Sequence, residues 1–171
     1  MDPADRLPET AKRDRVTAEA ACVCGAVRVE IVVPALWAWH DHSAASRHAQ
    51  GCAYATYVGS WKVRMRILQG EELISRYEDQ ETHTIRSFCS RCGTPLTYER
   101  PSAPKYVNLP RPLFETRTGR EPRYHMYLDE QADWLWLGEA LGPLKGYPGV
   151  MWERPRKKTR AAAIDRMFEP H

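Results

Sequence analysis

"ACVCGAVRVEIVV", residues 21–33, joins the two signals that decide the architecture: a pair of cysteines one residue apart and, directly after it, an alternating run. Val27, Val29, Ile31 and Val33 share one face while Arg28 and Glu30 point to the other, the period of two of a half-buried strand. Gly25, placed after the pair, lets the chain turn so that backbone N–H groups can face the sulfurs. The arrangement returns as Cys89-Ser90-Arg91-Cys92-Gly93. Four thiolates satisfy tetrahedral Zn²⁺ with bonds of ~2.3 Å, so Cys22, Cys24, Cys89 and Cys92 read as the ligands of one structural zinc per chain. Such an ion ties the first strand to the middle of the domain. A closed four-cysteine site keeps no open position, so its effect is on folding rather than chemistry.

The period of two continues outward from there. "WKVRMRIL" sets Trp61, Val63, Met65 and Ile67 against Lys62, Arg64 and Arg66, and "YATYVG", "HTIRSFC", "TPLTYE", "KYVNLP", "RYHMYLD" and "DWLWLGE" are further short strand candidates. With 13 prolines scattered through the chain and no long helical pattern, the expected class is all-β, short antiparallel strands around a metal. Three segments are expected: a polar leader over 1–17, a zinc-binding domain over 18–153, and a basic tail over 154–171 in which Ile164 and Phe168 could share a short helix. "GPLKGYPG", residues 142–149, reads as a turn-rich exit from the domain.

Composition excludes several classes. Across 171 residues, 43% hydrophobic and 27% charged is ordinary globular usage, which argues against wholesale disorder. The first fifteen residues contain no apolar segment of a secretory signal, and no apolar run approaches the ~20 residues of a membrane span. A cytoplasmic location is expected, where paired cysteines bind metal more often than each other. A net charge of +3 is too weak to imply nucleic acid, and Arg154, Arg156, Lys157, Lys158 and Arg160 read as a solvated tail.

At the two cysteine pairs the chain resembles a known family. "ACVCGAV", "RSFCSRCGTPLTYER" and "RYHMYLDEQADWLWL" are similar, in order, to the segments that mark the glutathione-dependent formaldehyde-activating enzymes, a family that includes centromere protein V. The resemblance covers about residues 20 to 138. It implies a β-tent fold and a structural zinc on Cys22, Cys24, Cys89 and Cys92. It also implies a catalytic zinc in a C-H-C-x-x-C motif, which assists the combination of glutathione with formaldehyde, formally carbon–sulfur lyase chemistry. Here that slot falls on Asp41-His42-Ser43-Ala44-Ala45-Ser46, so His42 matches while Asp41, Ser43 and Ser46 replace the cysteines. One carboxylate and two hydroxyls bind zinc poorly.

The stretch "HDHSAASRHAQGC", residues 40–52, nevertheless carries three histidines. If residues 39–43 are extended, His40 and His42 lie on one face and Asp41 on the other, and a one-residue bulge would be needed to bring them together. His48 and Cys52 could then complete a second metal site with an open position. The candidate catalytic residues are thus His42 or His48 as acid/base or ligand, Asp41 as ligand or orienting carboxylate, and Cys52 as a thiol. Tyr57, Trp61, Tyr106, His125 and Trp134 are aromatic candidates for a nearby cleft or the core. His83 and His125 have no sequence-adjacent acid. No phosphate loop or H-E-x-x-H is present.

The expectation is a zinc-binding protein acting as a carbon–sulfur lyase on a thiol adduct or glutathione through an altered site. The alternative is a non-catalytic, zinc-stabilised binding module for a small molecule or for a nucleic-acid or other acidic partner. No membrane is expected, and the sequence leaves the oligomeric state and a second metal open.

Overall fold

The computed structural model describes residues 16–135, 137 and 141–153. Two sheets hold the described residues. The smaller has the order β1-β2-β5, from β1 (Thr17–Ala21), β2 (Arg28–Val32) and β5 (Met65–Gln69). The larger has nine strands in the order β11-β12-β10-β3-β4-β9-β8-β7-β6. Its members are β3 (Trp37–Asp41), β4 (Ala55–Trp61), β6 (Ile74–Asp79), β7 (Thr84–Cys89), β8 (Pro95–Glu99), β9 (Tyr106–Pro110), β10 (Tyr124–Met126), β11 (Leu141–Pro143) and β12 (Met151–Glu153). Every pairing is antiparallel except β10 with β3. Among the described residues one α-helix, α1 (Ala44–Gln50), follows β3. The all-β expectation stands.

The alternating sequence explains the core. Val27, Val29 and Ile31 are sealed with Val58, Leu96, Val107 and Leu109, so the inward faces of both sheets meet in one apolar cluster. Each such side chain stabilises the fold by ~1.5–3 kcal/mol relative to leaving it exposed. Glu30 is also buried, against expectation, but Arg66 on the neighbouring β5 pairs with it, the condition under which a carboxylate is tolerated there.

Four readings change. The alternation through 61–68 breaks at Lys62–Arg64, a single helical turn that carries the chain from one sheet to the other and leaves Val63 78% exposed. Within "DWLWLGE" the described residues form no strand, and Trp134 stands in a turn at 71% exposure. Residues 142–149 are no exit, because β11 and β12 pair with each other and β12 returns onto β10. The short α1 has too few residues to show a helical period; Ser43 Oγ caps it by accepting from Ser46 N at 3.3 Å, and Gly51 ends it in the left-handed conformation. The expected tail helix lies outside the described residues.

Candidate functional site

Two hairpin turns of the same construction bring the cysteines together. Cys22 N donates to Val27 O and Cys89 N to Thr94 O, while Gly25 N and Gly93 N donate back to the carbonyls of Cys22 and Cys89. Both glycines sit at positive φ, 71° and 74°, where a side chain would be strained. The four sulfurs lie within 4.8 Å of one another. Cys22 Sγ is 3.4 Å from Cys24 Sγ, which is 3.9 Å from Cys89 Sγ. A tetrahedron of ~2.3 Å metal–sulfur bonds has edges of ~3.8 Å, so the set is already near the size that an ion requires. Val27 N donates to Cys22 Sγ at 3.2 Å, and the Thr94 hydroxyl, then its N–H, hold the Cys92 thiol down at about 5. Four cysteines that could hold a metal ion are thus in place.

The Asp41–Ser46 slot is built differently. Asp41 Oδ1 accepts from Ser43 N at 3.0 Å, Ser43 Oγ serves as the helix cap, and Ser46 Oγ accepts from Arg86 Nη2 at 3.5 Å. All three replacement side chains have partners, and a guanidinium stands against one of them. A cation does not fit here, and among the described residues no metal-binding group includes this slot.

His40 and His42 take the opposite side of the strand. The β3–β4 register runs unbroken from Trp37↔Gly59 to Asp41↔Ala55, so no bulge brings Asp41 round to the histidines. Instead the histidine face gathers partners from other strands through register and the period of two. His40 pairs directly with His125 on the parallel β10, and their ring centres are 4.6 Å apart. His42, two residues on, is hydrogen-bonded through Nε2 to His125 Nδ1 at 2.9 Å. Thr56, opposite His40 on β4, places its hydroxyl 3.0 Å from His40 Nδ1. Tyr54, two residues from Thr56, packs on both His40 and His42. From β12, Glu153 reaches His125 Nε2 at 3.5 Å.

Burial makes these imidazoles weak bases. His42 is fully buried and His125 is 2% exposed. Burial first, and the neighbouring His125 second, push both His40 and His42 down to about 4. Burial also lowers His125, against the pull of Glu153. All three are neutral near pH 7.

The other side of β3 is cationic and aromatic. Arg86 donates through Nη1 to the Tyr57 hydroxyl at 3.1 Å and lies 4.7 Å above the Tyr98 ring. Arg100 donates to the Tyr98 hydroxyl at 2.7 Å and to that of Tyr127 at 3.2 Å. Tyr127 itself adopts a positive φ of 55°. A cavity of about 530 Å³ lies elsewhere, lined by Val29, Met65, Ile67, Leu96 and Glu99 among others, and touches neither group.

Of the residues singled out from sequence, His42 and Asp41 are buried on opposite faces, whereas His48 and Cys52 lie exposed on α1 and just after it. Partial desolvation raises the Cys52 thiol, contrary to what a nucleophilic thiolate needs. Trp61 and Tyr106 pack on each other with their rings tilted, and Tyr57 packs between Trp39 and Tyr98. His125, first read as lining or core, is the centre of the histidine face, and Glu153 was missed. The only sequence signal for it was an acid at even spacing from Met151, usable once the β10–β12 register is known.

Comparison with known proteins places the chain. The family model described as glutathione-dependent formaldehyde-activating enzyme matches residues 17–130. A Halomonas elongata protein named for the same activity is 29% identical over 124 residues, covering 68% of this chain and 78% of that one. A crystal structure of a Rhodobacter sphaeroides protein superposes with a TM-score of 0.49 at 22% identity, covering 58% of this chain and 89% of the other.

Proposed function

The chain belongs to the glutathione-dependent formaldehyde-activating enzyme family, and on that premise we propose that it is a zinc-stabilised carbon–sulfur lyase acting on thiol adducts of the glutathione type. The family match over 17–130 carries the reading, since it spans both cysteine turns and the His42 slot. The structural ion is zinc at Cys22, Cys24, Cys89 and Cys92, one per chain, favoured by an all-sulfur tetrahedral set. The protein works in the cytoplasm, where glutathione keeps such thiols reduced.

In the reaction a thiol adds to an aldehyde carbon. The carbon–sulfur bond forms, the thiol proton leaves sulfur, and the carbonyl oxygen gains a proton; the lyase direction reverses each step. The family's cysteine-bound catalytic zinc has no counterpart in the Asp41–Ser46 slot, whose donors are already engaged. His42, sealed from solvent, holds the His125 ring in place through its hydrogen bond. Arg86 and Arg100, both against Tyr98, are suited to the carboxylates of a glutathione-type adduct.

The test is exchange NMR with ¹³C-formaldehyde and glutathione. The protein is expected to accelerate exchange between free aldehyde and adduct, and Arg86→Met to raise the half-saturating glutathione concentration about tenfold, equivalent to ~1.4 kcal/mol. No acceleration overturns the lyase. The engaged donors of Asp41, Ser43 and Ser46 favour, as the second reading, a binding module without turnover. Saturable glutathione binding without acceleration would select it.

A further inference from the structure

We propose that His40, His125 and Glu153 form a second metal site, a two-histidine, one-carboxylate set for a divalent transition ion of the zinc or ferrous class. One ligand atom from each of the three lies within 4.8 Å of the others. His125 Nε2 and Glu153 Oε1 are 3.5 Å apart, against an edge of ~3.3 Å for a tetrahedron of nitrogen and oxygen ligands at ~2.0–2.1 Å. The spacing already suits an ion.

A second observation points the same way. His125 Nε2 is buried and makes no hydrogen bond of good geometry, and Glu153 Oε1 stands 3.5 Å from it, so the nitrogen is placed to share an ion with that carboxylate. Its other nitrogen is held by His42, and the Nδ1 of His40 is held by Thr56. Metal-bound histidines are fixed in this way, with the second ring nitrogen engaged by a neighbour that sets tautomer and orientation. An ion would take the ring nitrogen of each histidine that Thr56 and His42 do not hold, displacing the contact of the His40 ring with the Pro122 carbonyl. Three strands fix the set: β3 and β10 bring the rings into register, and Glu153 lies on β12 diagonally across from His125, two residues beyond its partner Met151.

Glu153 has a 44% exposed side chain, so the site opens to solvent on one side. Three protein ligands leave at least one position for water or a substrate atom. The site does not rest on the function proposed above, because Arg86 and Arg100 lie on the other side of β3 and its test reads bound ions and not turnover.

The experiment is elemental analysis of the full chain, purified without added metal, equilibrated with Zn²⁺ and freed of excess ion, alongside Glu153→Gln, His40→Ala and Thr56→Val. The unmodified chain should hold two ions. Glu153→Gln and His40→Ala should hold one, with the melting temperature of the one-zinc protein unchanged. Thr56→Val, which removes only the neighbour of His40, should weaken the second ion ~10–100-fold. One ion in the unmodified chain, or two in both Glu153→Gln and His40→Ala, would overturn the site. Anaerobic competition with Fe²⁺ then decides between the two ions, and retention of either one upholds the proposal.

Discussion

The cysteine cluster and the histidine face use similar numbers of ligand-type residues and are assembled in opposite ways. Each cysteine pair sits within one turn, with its own glycine and its own backbone bonds, so half of the site exists wherever that hairpin forms. The histidine face has no such local unit beyond His40 and His42. It draws His125 from a parallel neighbour 85 residues along the chain and Glu153 from a strand further on. A local pair can be read from spacing, whereas a site made by strand register appears only when the sheet is known. The same contrast separates their effects: the first site crosslinks distant turns, and the second decorates a sheet that is already formed.

The largest expected effect therefore belongs to the cysteines. Cys89→Ser, or exhaustive chelation, should abolish cooperative unfolding, because structural zinc contributes ~10–16 kcal/mol of apparent binding energy to small domains. Calorimetry that finds an unchanged melting temperature would erase the distinction drawn between the two regions. His125→Ala should cost much less, ~1–3 kcal/mol, by leaving the buried His42 Nε2 without its partner. Denaturant titration reads this directly, and a loss as large as that of Cys89→Ser would mean that the histidine face also holds the fold together.

Acidity sharpens the comparison further. His40 and His42 have folded pKa values near 4, below the ordinary 6.5, so the unfolded chain binds more protons between those limits. Stability is full above about pH 6.5 and falls as pH drops toward 4. His42→Asn should flatten that slope in melting curves taken with the cysteine site metal-loaded; an unchanged slope would assign the acid sensitivity to other groups. The smallest effect is expected at Cys52→Ser. An exposed thiol with a raised pKa should change stability by no more than ~0.5 kcal/mol and leave exchange activity intact. A large loss of activity would return Cys52 to the chemistry.

How much was legible follows from the same physics. The run 27–33 shows one strand because its alternation survives in a half-buried sheet, and β4, β7, β8 and β9 were visible for that reason. Lys62–Arg64 was misread because a single turn can sit inside an alternating pattern without disturbing it. Strands β11 and β12 are three residues each, too short to carry a period. At the site, the opposite placement of His40/His42 and Asp41 followed from the period of two. The role of Arg86 against Ser46 did not, because their pairing spans 40 residues and joins a helix to a strand far along the chain. His48 and Cys52 were attractive by proximity in sequence, yet α1 and its cap turn them to solvent.

X-ray absorption at the zinc edge, taken after one and then two equivalents of zinc per metal-free chain, tests the account most directly. The first equivalent should show four sulfurs at ~2.3 Å and nothing else, and the second should add a nitrogen and oxygen shell at ~2.0–2.2 Å. A mixed sulfur–nitrogen shell from the first equivalent would contradict the separation of a closed cysteine clasp from an open histidine face.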